Sequence, residues 1–192
     1  MTPITRITDP EVELLAGLSS VLQQDYVSPD EDPWLGSPFA WIQTRPSRQK
    51  GAIGEALVAG WAAAKGFDVA RTGDSDADRV IHGHRVEIKY SNLWANNGIY
   101  KFQQIRDQRY DYCLCLGISP FDAHAWFIPK PELMKPGHAG LVPQHGGAAG
   151  MDTQWLSFPA DNPPTWVRAY GGTLSQVAAL ISAAGRGPNR GR

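Results

Sequence analysis

Apolar positions change period several times along the chain, and each change predicts an element. In residues 9–24, Val12, Leu15, Leu18, Val21 and Leu22 recur at helical spacing, with Asp9 placed as N-cap and Pro10 at the first helical position. Residues 28–47, rich in Pro, Ser and Asp around Trp34, Phe39 and Trp41, predict an irregular arm. The run GAIGEALVAGWAAAKGF predicts a second helix with Ile53, Leu57, Trp61 and Ala64 on one stripe, ended by Gly66 after Lys65. Beyond Gly66 the period shortens. A strand at 67–71 leads through the polar connector GDSDAD to two strands, RVI and RVEIKY, which flank His82-Gly83-His84. Ile99, Phe102 and Ile105, three apart, predict a helix over 99–109. Residues 111–117 and 123–128 read as apolar strands, 129–164 as Gly- and Pro-rich loops, 173–184 as a last helix, and 185–192 as a disordered basic tail. Helices alternating with strands predict a mixed α/β domain.

Composition narrows the class. With 42% hydrophobic residues over 192 positions the chain can build one core, which excludes a disordered protein. No apolar run approaches the roughly 18 residues of a membrane span. The N-terminus lacks the pattern of a secretion signal. Cys113 and Cys115 share one strand face in YDYCLCLGI, too close in sequence to bridge each other. They read as buried thiols of a reducing, cytoplasmic compartment. His82, His84, His124, His138 and His145 do not combine with them into a zinc spacing, and no phosphate-binding loop, dinucleotide fingerprint or nucleophile elbow is present.

The net charge of −1 alone speaks against a generic polyanion binder. It hides an asymmetry. Residues 1–40 hold Arg6 against Asp9, Glu11, Glu13, Asp25, Asp30, Glu31 and Asp32, so the remainder of the chain is net basic. Nucleic acid therefore stays open as a partner. The acidic leader is expected to pack away from the site or against a second subunit.

The candidate chemistry lies between Asp78 and Lys89. A two-residue turn at Gly83-His84 would pair His82 with Arg85, Val80 with Glu87 and Asp78 with Lys89. Asp78, Val80, Glu87 and Lys89 then share one sheet face, with Val86 and Ile88 on the other. Two carboxylates meeting an ammonium suit Mg2+, whose oxygen ligands include one or two carboxylates and several waters. The same spacing also describes an exposed cross-strand ion pair, worth under about 1 kcal/mol.

Asp78 and Glu87-Ile88-Lys89, preceded by a helix carrying Glu55, resemble the PD-(D/E)XK nuclease superfamily over about residues 50–128. The first signature departs from that pattern: Ala77-Asp78 replaces Pro-Asp, and Asp76 and Asp74 have the same parity as Asp78. The resemblance implies a restriction-endonuclease-like α/β core with a mixed sheet of about five strands flanked by helices. With the periodicity on either side of it, the expected organisation is an N-terminal helix and arm over 1–48, a nuclease core over 49–130 and a loop-rich extension with a helix over 131–184. The resemblance further implies that Asp78, Glu87 and the Ile88 carbonyl ligate Mg2+, for which Mn2+ can substitute. Lys89 would then serve the attacking water, and Glu55 would reach the same site from its helix. A Gln on the following helix often lies near such sites; Gln103 and Gln104 are the candidates, and Gln104 is preferred.

The implied activity is hydrolysis of double-stranded DNA by a type II restriction endonuclease acting as a homodimer. A repair nuclease such as a junction resolvase and a non-catalytic DNA-binding module are the alternatives. Ser91, Asn92, Trp94, Asn96 and Asn97 follow Lys89 at the expected cleft edge, where Ser91 and Asn92 are candidate DNA contacts. Lys101 and Arg106 are candidate phosphate contacts, with Arg109 beside them. His145, in QHGGAAGMDTQWLSF, is a candidate on a recognition or closing loop.

Overall fold

Small residues four apart let one helix lie close on a sheet, and that approach organises the domain. In the computed structural model, helix α1 spans Ala40–Gln43 and helix α2 spans Ser47–Ala64. The residues that α2 buries are Gly54, Val58 and Ala62, one position on from the predicted stripe of Ile53, Leu57 and Trp61. Bulk explains the offset: a Cβ on Gly54 would stand 2.5 Å from the Tyr90 Cβ, so only the small-residue face fits against the sheet. The larger side chains flank the contact, and Leu57 is 36% exposed.

The described residues are 14–18, 21, 32–94, 98–138, 141–143 and 153–185. The chain divides into two compact units, residues 1–35 and 36–192. In the first, residues 14–18 and 21 are helical, as their spacing predicts. The strands and the remaining helices belong to the second unit. The basic tail from 186 onward lies outside the described residues. No described helix is long and apolar enough to cross a membrane.

A six-stranded mixed sheet forms the centre. It comprises β1 (Val69–Arg71), β2 (Arg79–Ile81), β3 (His84–Asn92), β5 (Tyr112–Ile118), β6 (Ala123–Pro129) and β9 (Gly171–Thr173), in the order β1-β2-β3-β5-β6-β9. Strands β3 and β5 are parallel and their neighbours antiparallel. Helix α2 lies on β3, and helix α5 (Leu174–Ala184) lies on β6 and β9. Thr173 starts α5 with a capping box: its hydroxyl accepts from Gln176 N at 3.2 Å, and Gln176 Oε1 accepts from Thr173 N at 3.0 Å. This is the α/β architecture with a mixed sheet and flanking helices that the sequence predicts, with six strands instead of about five.

The opposite face carries a second sheet that no local sequence pattern predicts. Strand β4 (Ile99–Arg106), with β7 (Leu141–Pro143) and β8 (Thr153–Pro159), forms a three-stranded antiparallel sheet in the order β4-β8-β7. The predicted helix over 99–109 is therefore a strand. Tyr100 and Phe102 alternate inward, and a bulge between Phe102 and Ile105 then brings Ile105 back inward. Gln104 takes a left-handed backbone there, φ 57°. The extra residue turns a period of two into an apparent period of three. Residues 129–164 are likewise not only loops. They supply β7, β8 and the short helix α3 (Lys130–Leu133), and a second short helix, α4 (Thr165–Arg168), follows directly after them. Between the sheets Tyr100, Phe102, Cys113, Cys115, Trp126, Leu156 and Phe158 form a fully buried cluster, with the Trp126 and Phe158 rings edge to face at 4.9 Å. The cysteines are free and buried, as predicted.

These packing distances make a testable contrast. Gly54→Ala should cost about 1–3 kcal/mol through overpacking against Tyr90. Gly60→Ala, where an added Cβ meets nothing within 4 Å, should stabilise by up to about 1 kcal/mol. Thermal unfolding of both variants checks this; equal melting temperatures would refute the close approach as the fit that places α2.

Candidate active site

Four of the predicted catalytic residues converge where α2, β2 and β3 meet. The β2–β3 turn is at His82-Gly83, one residue earlier than predicted, with φ 52° and 85°. Both central residues are left-handed, as a type I′ turn requires, so the expected Gly-first type II′ turn is corrected. The Phe67 ring packs on His82 at 5.5 Å, and His82 N donates to Asp68 O at 2.8 Å, which holds the unusual conformation. The predicted pairs shift accordingly: Arg79 faces Val86 and Val80 faces Arg85. Moving the turn by one residue moves each partner by two, so every side chain keeps its predicted face.

Asp78 precedes β2 and is tied to β3 twice. Its N–H donates to Val86 O at 3.1 Å, and its Oδ2 accepts from Ile88 N at 2.7 Å. Glu87 and Lys89, two apart on β3, share a face and form an ion pair of 2.6 Å. Their side chains are only 10% and 16% exposed, because the face predicted to border an open cleft is overlain by the second sheet. Opposite them on β5 stand Cys113 and Cys115. Glu55 on α2 reaches the group through Arg79, whose Nη1 lies 3.7 Å from Glu55 Oε2 and donates to Asp78 O at 2.6 Å. Arg79 was not singled out by sequence; its place one residue after Asp78 was the available signal.

Electrostatics bind the four into one site. Burial raises the Glu87 carboxyl above its ordinary value; Lys89 opposes this, while Asp78 and Glu55 raise it further. Burial also raises Glu55, Asp78 adds to the effect, and Arg79 and Lys89 pull against it. Burial disfavours charged Lys89, but Glu87 more than compensates and lifts its pKa above the usual lysine value. Three carboxylates thus share two cations. That surplus of negative, all-oxygen donors fits a hard divalent cation. Among the described residues no three His, Cys, Asp or Glu side chains are grouped closely enough to cage a metal by themselves. A fit to Mg2+ therefore rests on Asp78 and Glu87 with a main-chain carbonyl and water completing the shell.

The rival first ligands are engaged elsewhere. Asp74 pairs with Arg85 at 2.6 Å and Asp76 with Arg109 at 2.5 Å, which leaves Asp78 as the connector acid beside Glu87. Gln104 is exposed on the β4 bulge, without the helix expected to aim it. Ser91 is corrected from a DNA contact to a structural one. It is buried, accepting from Lys101 N at 2.8 Å and donating to Asn92 O at 2.9 Å. Asn92 is half-buried and accepts a hydrogen bond from the Tyr90 hydroxyl. Lys101 lies on the outer side of the second sheet, and Arg106 is exposed at the end of β4. Asn96, Asn97 and His145 lie outside the described residues.

No protein-family model matches the chain, and no curated protein matches it. Among solved structures, the bacterial homing endonuclease I-Ssp6803I is similar over 72% of this chain and 96% of its own, with 14% identity and a TM-score of 0.47.

The raised Glu55 value sets a pH dependence. Folding favours its protonated form, so its contribution to stability is complete below the ordinary value near 4.5 and is lost as pH rises through the raised value. Glu55→Gln, unfolded by urea in chelator, should gain stability relative to the parent as pH rises from the ordinary value near 4.5. A pH-independent or shrinking difference would contradict the burial of this carboxylate near Asp78.

Proposed function

We propose that the protein is a Mg2+-dependent endonuclease that hydrolyses phosphodiester bonds in DNA. The observation that carries the reading is that Asp78, held on β3 by the Ile88 N–H, stands beside the Glu87–Lys89 ion pair, with Glu55 joined to it through Arg79. A surplus of carboxylates over cations in a largely buried setting is costly unless something else neutralises it. The finer assignment, favoured by the motif, is a PD-(D/E)XK enzyme of the type II restriction class acting on double-stranded DNA as a homodimer.

In this reading Asp78, Glu87 and the Ile88 carbonyl hold Mg2+. The ion, when bound, screens charge on the scissile phosphate and makes a water more acidic. Lys89 is placed by its 2.6 Å contact with Glu87 to hydrogen-bond the attacking water or the charge that develops on the phosphate oxygens. Asp78 is held for its task by the Ile88 N–H, so its side chain is pre-positioned before any ligand arrives. Arg79 ties Glu55 to the Asp78 carbonyl and keeps the helix acid directed at the same point.

Two outcomes follow. Plasmid DNA incubated with Mg2+ or Mn2+ should be nicked or cut, and EDTA should stop it. Lys89→Ala and Glu87→Ala should each lose at least about 100-fold in cleavage rate while still binding DNA in Ca2+. Failure to cut across many plasmid sequences would leave only a DNA-binding module. Separately, Mg2+ at 100 times its dissociation constant should stabilise the parent by about 2.7 kcal/mol, measured as a rise in melting temperature. Asp78→Asn should not respond. An equal rise in both proteins would remove Asp78 from the ligand set.

A further inference from the structure

The outer face of the small sheet has a chemistry of its own. Strands β4, β7 and β8 contain Lys101 and Arg106 and no Asp or Glu, in a chain with slightly more acidic than basic residues. On β4, Tyr100, Phe102 and Ile105 point into the core, which sends Lys101 outward. Its Nζ lies 3.5 Å from the ring centroid of Trp155 on β8 and 5.3 Å from that of Trp94. The ammonium is thus held by cation–π attraction between two indoles. Trp94 is fixed by its backbone, its N–H donating to Ile99 O at 3.0 Å and its carbonyl accepting from Gly98 N at 2.9 Å. Its side chain is nevertheless 52% exposed. The Lys101 backbone is anchored in turn, its N–H donating to the buried Ser91 hydroxyl.

We propose that this face binds a single-stranded segment of DNA, with an unpaired base stacking on Trp94 and Lys101 meeting the adjoining phosphate. The proposal deepens the reading of DNA as substrate and rests on it. An indole accepts any base, because every base has a π-face, and a positioned ammonium supplies the charge that a strand of phosphates requires. Trp155 is the positioning residue: it holds Lys101 beside Trp94. The absence of acids from all three strands matches a polyanion. An apolar protein surface would gain little here, since it would strip water from the central ammonium and offer it no opposite charge.

The test measures fluorescence anisotropy of a labelled mixed-sequence single-stranded oligonucleotide, and of the blunt duplex of the same sequence, with the full chain in EDTA. Trp94→Ala should bind the single strand about tenfold more weakly and lose much less on the duplex, whereas Trp94→Phe should retain most of the affinity. Lys101→Gln should reduce the salt slope of single-strand binding by about 0.7, the share of one phosphate contact. Phe121→Ala is the control. Phe121 is equally apolar and 69% exposed but lies outside the sheet, and its replacement should change nothing. Unaltered binding by Trp94→Ala, equal losses on single strand and duplex, or no single-strand binding by the parent would each overturn the proposal. Because these measurements need no cleavage, a protein that cuts no DNA would refute the nuclease reading without deciding this one.

Discussion

The site depends on burying the Glu87–Lys89 ion pair in a strand covered on both faces. Strand β3 runs parallel to β5 at the middle of the large sheet, where α2 lies on one side and the small sheet on the other. Such strands are ordinarily apolar throughout. Here Val86 and Ile88 satisfy that rule on the helix side, and Glu87 and Lys89 break it on the other. Removing Lys89 would leave the Glu87 carboxylate largely out of water without its cation, at a cost of about 3–5 kcal/mol. The pair is weak evidence for stability, since an apolar pair of similar volume would do as well.

The surrounding contacts hold the acids at that pair. Backbone hydrogen bonds and a buried Ala77 fix the end of the connector, so Asp78 meets β3 at Val86 and Ile88. The Asp74–Arg85 and Asp76–Arg109 pairs are more exposed and individually worth little. Helix α2 brings Glu55 within reach only because Gly54 allows its backbone to approach Tyr90. One glycine on a helix thus sets the distance between a carboxylate and a metal-ligand candidate on a strand.

The small sheet shows how a local pattern misleads. Ile99, Phe102 and Ile105 are three apart, and a strand–helix–strand order is the usual way to join two parallel strands. Both indications favour a helix, yet β4 is a strand whose bulge at Gln103 and Gln104 adds one residue to the alternation. Its partner β8 is separated from it by about fifty positions and by a Gly-rich stretch, so no local window contains the pairing that stabilises either strand. The same covering sheet turned Ser91 from an expected surface contact into a buried staple and took Glu87 and Lys89 out of solvent.

Period-two alternation from Arg79 to Lys89 was enough to put Asp78, Glu87 and Lys89 on one face, and this survived an error in the turn because a one-residue shift preserves parity. The apolar strands β5 and β6, the last helix and the buried thiols were equally legible, since each is specified by neighbouring side chains. Tertiary structure decided the rest: which face of α2 turns inward, which connector acid stands beside Glu87, and whether the charged face of β3 is open or covered. Those outcomes depend on the volume of Tyr90, on the pairing of Asp74 and Asp76 with arginines 11 and 33 positions on, and on a sheet assembled from distant segments. Periodicity reports which side of an element a residue occupies; only long-range packing determines what that side meets.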